Sequence, residues 1–361
     1  MIGHTLFFYL FRRYVATFLQ FFAGVCLIAY LVDFTELSRF KSTLPGYTIG
    51  SGLLVSALHV PLIAQTAIPF IILFAAMATL MSLNRRYELV VARSAGVSAW
   101  QFLAPLCFAS FMIGVVAVTV FNPVGASALA RAQEIEASFS GEQQSNFDAR
   151  IPWLRQRDQD GITIMGAKNT ARRGLQLNEA VFIQIGPSGD IVERIDARQA
   201  NLEPGKWIVD DATVRRRGEA AEQISRLEVK TSLRPEFVEE KLARPETIPF
   251  FDLPGKMRAA WSFGLNANGF GMQFHSLIAL PMLVVAMTLI AATVSMRFAR
   301  MGQSVTMILG GVLAGFLLYV VSVLVKAFGT AGIVPPFVAA WIPVVVAMFF
   351  GVTFLLYRED G

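Results

Sequence analysis

The sequence predicts an α-helical polytopic membrane protein with six transmembrane helices and an antiparallel, jelly-roll-like β domain inserted after the third. Three observations carry that reading. Of 361 residues, 55% are hydrophobic and only 16% charged, which excludes an ordinary soluble domain. The charges are concentrated: 20 Lys and Arg and 21 Asp and Glu lie between Arg131 and Arg258, leaving 11 and 5 for the rest of the chain. The flanking segments contain uncharged runs long enough to cross a bilayer, which takes about 20 residues. The chain accordingly divides into 1–130, three helices; 131–262, the β domain; and 263–361, three more helices.

Taking the elements in order, Arg12 and Arg13 precede an uncharged run of 19 residues, Tyr14 to Val32, after which come Asp33 and Glu36. This run exceeds the apolar core of a cleaved signal, roughly 7 to 15 residues, and reads as an anchor. A second uncharged run, Ser42 to Asn84, has 43 residues and is too long for one perpendicular crossing. Part of Tyr47 to Val60 is therefore expected along the interface or as an extension of a tilted helix. Pro61 and Pro69 each remove a backbone donor and predict kinks there. The third crossing is expected from Trp100 to Phe121, closed by Asn122 and Pro123.

Beyond Ala130 the pattern changes. GITIMGA, AVFIQI, IVERI, WIVDDATVRRR and RLEVKTSL are short, partly alternating runs. Turn residues separate them, notably Pro187 to Asp190 and Glu203 to Lys206. Alternation with this spacing supplies a buried face and predicts an antiparallel sandwich or jelly roll. From Ala259 to Met296 charge is again absent, with the fourth crossing expected at His275 to Met296. The loop RFARMGQ follows. The fifth crossing is expected from Ser304 to Val325, its outer end marked by Lys326, and the sixth from Phe337 to Tyr357.

Basic residues orient the bundle. Arg12, Arg13, Arg85, Arg86, Arg93, Arg297, Arg300 and Arg358 fall on one side, against Arg39, Lys41 and Lys326 on the other. The positive-inside rule places the richer side, with both termini, in the cytoplasm and the β domain outside it. The same distribution explains the basic balance without nucleic acid, which needs a clustered basic face with aromatics.

Enzymatic signatures are missing from the sequence. It has no GxxxxGK[ST] loop, GxSxG elbow, HExxH or Rossmann fingerprint. His4, His59 and His275 lack ligand spacing, and Cys26 and Cys107 sit in apolar runs, so no metal site is expected. Asp33 and Glu36 lie one helical turn apart at the end of the first crossing, where a solvated or Arg39-paired end is favoured over a proton relay. GGVLAG places Gly311 and Gly315 at GxxxG spacing, which serves close helix approach within the chain or between chains.

The segment Asn84 to Ser98, NRRYELVVARSAGVS, is the most informative on the cytoplasmic side. With Asn84 as cap, a short helix would hold Glu88 in its positive first turn, present Leu89, Val90 and Val91, and end at Gly96 in a left-handed conformation. Arg85, Arg86 and Arg93 would then meet lipid headgroups or the acidic groups of a partner, and the residues alone leave both open.

YELVVARSAGVS resembles the coupling-helix signature of the LptF/LptG lipopolysaccharide-export permeases, with Glu88, Leu89, Val90, Val91, Ala95 and Gly96 in matching positions. LVDF after the first crossing, Asn122-Pro123, the central β domain and GIVPPFVAAWIP extend the resemblance, and Asp33 in LVDFTELSRF is more similar to the LptG branch. The resemblance implies a permease of the inner membrane of a Gram-negative bacterium that extracts lipopolysaccharide toward a periplasmic bridge. The chain would be a transport subunit without a catalytic site or cofactor, since ATP and Mg would be bound by an LptB-like ATPase dimer. Its other partners would be an LptF-like permease and LptC-like and LptA-like bridge proteins.

By the same resemblance, Arg85, Arg86, Glu88, Leu89, Val90, Val91, Arg93 and Gly96 would form the ATPase-docking segment. Arg39, Lys41 and Arg131 would hold lipid A phosphates, and lateral gates between the first helix of one subunit and the fifth of the other would involve Gly311 and Gly315. One departure is visible: Ala29 to Val32 stand where some members carry a lysine, so that contact is not carried over. The alternatives are the LptF-like role in the same complex and a membrane-anchored periplasmic scaffold or sensor.

Overall fold

The computed structural model describes residues 4–44, 46–139, 154–158, 161–171, 175–186, 190–216, 220–231, 245–262, 267–295 and 305–359. The expected turn at 187–189 and the loop with Arg297 and Arg300 lie outside them. Among the described residues, six helical segments are long and apolar enough to cross a membrane. An antiparallel sheet is inserted between the third and the fourth.

Helix α1 (His4–Lys41) is much longer than its uncharged run: 38 residues reach about 57 Å, well beyond a hydrocarbon core of about 30 Å. Helix α2 (Ile49–Arg85) begins at Thr48, whose hydroxyl accepts from the Ser51 amide in a reciprocal capping box. It then runs unbroken through Pro61 and Pro69. Of the two arrangements expected for Tyr47 to Val60, the structure has the helical extension: from Ile49 on, that stretch is part of one continuous helix.

After the short α3 (Glu88–Ser94), helix α4 (Ala99–Val116) passes through a π-helical turn, Ala117–Phe121, into α5 (Asn122–Phe139). Asn122 and Pro123 therefore do not end the helix, which continues to Phe139. Proline inside a helix removes one backbone bond, and here that loss falls beside the widened turn. The wide turn also points Asn122 inward. Its Nδ2 donates to Gln65 Oε1 of α2 at 3.4 Å, and its Oδ1 accepts from the Phe250 amide at 2.8 Å.

Six strands follow: β1 (Leu154–Asp158), β2 (Gly161–Ala171), β3 (Gln176–Ile185), β4 (Ile191–Glu203), β5 (Lys206–Arg216) and β6 (Glu222–Lys230). They pair in sequence order as an up-and-down sheet. The β4–β5 hairpin closes Glu203 on Lys206 through Pro204 and Gly205, where Gly205 supplies φ +83. Alternating positions build a core of its own around Phe182, Ile195, Trp207, Val209 and Val214. Across β5 and β6, the carboxylate of Glu228 accepts from Lys206 at 2.6 Å and raises that ammonium above the ordinary lysine range.

A 3₁₀ turn, Pro245–Thr247, and α6 (Leu253–Ser262) lead to the last three spans, α7 (Asn268–Ser295), α8 (Val305–Ala331) and α9 (Pro336–Glu359). Helices α2 and α7 form the centre: α2 packs on α1, α5 and α7, and α7 on α2, α4, α8 and α9. Close approach needs small residues, because apolar lipid offers helices little hydrophobic reason to associate. A Cβ at Gly114 of α4 would lie 2.6 Å from Pro281 Cα of α7. Gly311 meets Val294 of α7, and a side chain at Gly315 would overlap Leu73 of α2. GGVLAG thus packs within the chain. Lys326 does not mark the end of α8, which continues a further turn to Ala331.

A buried hydroxyl chain ties three of these helices. Thr288 donates to the Val284 carbonyl at 3.0 Å, so Ser110 donates to Thr288 at 2.6 Å and Tyr14 to Ser110 at 2.7 Å. Every member of the chain is fully enclosed, and each hydroxyl proton has an acceptor.

Candidate functional site

The site grows out of the last turn of α2. Asn84 is not the cap of the short helix: it belongs to α2 and is buried. The chain instead reverses at Tyr87, whose φ of 59 places a bulky residue in the left-handed region. Helix α3 follows at once, its first turn holding Glu88 and its last Arg93.

At its end Gly96, at φ +82, donates to the Arg93 carbonyl and Val97 to that of Ala92. That pair of bonds is a Schellman closure, as the glycine predicts. Two residues later Ser98 caps α4 in a reciprocal box with Gln101. This seven-residue helix is far too short to persist alone. It is held by the turn before it, the Schellman closure and cap after it, and the burial of Leu89 in the bundle core.

Leu89 is therefore turned into the bundle, being 4% exposed. A helix laid against a bundle must bury one side, and three consecutive apolar residues cannot all face outward. The outward apolar surface is Val90 at 40% and Val91 at 65% exposed, joined by Tyr87 at 63%. Arg85 and Arg86 are exposed beside it. Sequence reasoning passed over Tyr87, although an aromatic beside an exposed apolar pair is a recurrent contact residue in interfaces. The Ser98-x-x-Gln101 box was another legible and unused signal.

Glu88 faces inward, toward α1. Arg13 Nη1 donates to both its carboxylate oxygens, at 2.9 and 3.1 Å, and Tyr9 OH to one of them at 3.0 Å. Arg13 Nη2 donates to Ser82 Oγ of α2 at 2.9 Å. The sequence places these residues some 75 positions apart and gives no local sign of the pairing.

The opposite end of the bundle carries the residues suggested for phosphate. Arg39 and Arg131 are exposed, Arg39 lying over the Phe40 ring, whereas Lys41 is paired with Glu136 of α5 at 2.8 Å. Asp33 keeps 20% of its side chain exposed and is paired with His59 of α2, not Arg39: both its oxygens lie 3.1 Å from His59 Nδ1. Lys326, half-buried, donates to Gln273 Oε1 of α7 at 3.2 Å. Cys26 and Cys107 are free thiols. Among the described residues, no group of three or more His, Cys, Asp or Glu converges as a metal site would require.

Six apolar spans, a β sheet inserted after the third and a short anchored helix between the second and third define a multi-pass membrane protein. More particularly, the chain belongs to the lipopolysaccharide export system permease LptF/LptG family, which it matches over residues 8–358. It is thus a lipopolysaccharide-export permease of the inner membrane and a member of the Lpt export complex, a transport subunit and not an enzyme. A comparison with curated proteins finds no match.

Proposed function

We propose that this chain is the LptG-type half of the exporter, paired with an LptF-type permease and driven by an LptB-like ATPase dimer that docks on α3. The observation that carries the reading is the outward apolar face of α3, Tyr87, Val90 and Val91, on a helix fixed at both ends. The excess of arginine at that end supports a cytoplasmic orientation for it and for both termini. With α3 inside, the β sheet stands in the periplasm, and its β1 and β6 edges offer backbone groups to LptC-like and LptA-like bridge proteins.

Lipopolysaccharide would enter beside α1 and α8, the two spans with the barest apolar faces, and its phosphates would meet Arg39 and Arg131. Lys41 would join them only by exchanging Glu136 for a phosphate. The LptG assignment rests on LVDFTELSRF, and ATP and Mg belong to the partner.

Val91→Glu tests the docking. A carboxylate at the most exposed position of the patch should weaken ATPase retention on purification by roughly tenfold or more, as expected for a contact at the centre of an interface. Full retention together with normal export would overturn the docking assignment.

A further inference from the structure

The arrangement of Glu88 carries a consequence for coupling that rests on the docking of α3 just proposed. A carboxylate offered to a partner would be expected to point outward with open acceptor positions. Here each oxygen of Glu88 accepts from Arg13, and one also accepts from Tyr9. The fork does not end there, because the second guanidinium nitrogen reaches Ser82. One planar, always-charged group therefore binds α1, α2 and α3 together at the end of the bundle, and lysine, a single point charge, could not reproduce that geometry. The pair is partly shielded, with side-chain exposures of 18% for Arg13 and 31% for Glu88. Its attraction is screened less than that of an open surface pair.

We infer that Arg13 is the positioning residue that makes α3 and the first turns of α1 move as one body, so that a push on α3 is delivered to the first membrane helix through Glu88. Helix α1 suits the receiving role. Below Phe18 it is seated by Leu10 and by the Tyr14 hydroxyl, but across Leu27, Ile28, Leu31 and Val32 its face is bare. On its other side Phe22 and Val25 pack against the core, Phe22 on the Phe121 ring, so displacement of its inner end is resisted along one face alone in the middle of the span. In this arrangement Glu88 addresses α1 while Tyr87, Val90 and Val91 address the partner, and the short helix has one face for each.

Charge exchange tests the relay in the full chain with its native partners in liposomes. Arg13→Glu and Glu88→Arg, singly, should raise amide exchange across 88–94 by roughly tenfold, the loss expected when a charged hydrogen-bonded partner is removed. Each should lower lipopolysaccharide release per ATP hydrolysed. The double exchange should bring both readouts back to within about twofold of the native protein, and Arg13→Lys should fall between.

A double variant no better than the worse single one overturns the inference, as does restored protection of 88–94 without restored release per ATP. The docking reading fails separately: if native α3 binds no ATPase, the functional proposal falls, while protection of 88–94 in the isolated full chain still reads the Arg13–Glu88 link.

Discussion

Helices α1 and α2 are nearly equal in length, 38 and 37 residues, and equally apolar along their spans, yet their surroundings are opposite. In the most apolar stretch of α1 only 6% is buried, against 61% in α2. Hydropathy alone does not separate a lipid-facing span from a central one; the small and polar residues do. The inner side of α2 is built from Gly52, Ser56, Ala64, Ala75, Ala76 and Thr79, all buried, which let neighbours approach. Helix α1 is instead fastened near its ends by polar side chains: Arg13 and Tyr14 at one, Asp33, Ser38 and Lys41 at the other. A helix held in that manner is tied by polar side chains at two points and by one apolar face, through Phe18, Phe22 and Val25, between them.

The contrast predicts a graded response to substitution, read as unfolding free energy in a fixed detergent or lipid. Leu80→Ala in α2 should have the largest effect, a loss of about 3 kcal/mol, because Leu80 is completely enclosed and its truncation leaves a cavity. Tyr14→Phe should cost about 1 kcal/mol, since it removes the first donor of the hydroxyl chain while Ser110 keeps Thr288. Leu27→Ala with Ile28→Ala in α1 should change stability by less than about 0.5 kcal/mol, both residues being more than half exposed. An α1 double variant as damaging as Leu80→Ala would show that this face of α1 is packed and erase the distinction.

Much of the architecture was legible because it depends on local composition. The uncharged runs located six spans, the alternating runs located most of the sheet, and Gly96 marked the end of α3 in the conformation its chemistry demands. Strand β1, LRQRD, was missed because four of its five residues are polar or charged, and it is recruited by pairing with β2. Pro123 misled for a related reason: proline usually ends a helix, but here the helix passes through a π turn just before it and continues to Phe139. The candidate site divides the same way. Exposed Val90 and Val91 were readable from the pattern, whereas the burial of Leu89, the left-handed Tyr87 and the partners of Glu88 and Asp33 are properties of the assembled helices.

The π turn at Ala117–Phe121 also sets an angle. By closing Asn122 N–H onto the Ala117 carbonyl, it inserts one residue beyond the α-helical count. One residue corresponds to about 100° of rotation, so everything downstream is turned by roughly that amount about the helix axis. The turn is a one-residue spacer that fixes the azimuth of all 18 residues of α5. Deleting Thr119 would take out that surplus residue and let the ladder close as a plain α-helix with Asn122 still on Gln65 and Phe250, whereas straightening the turn with the residue kept would swing Asn122 off both.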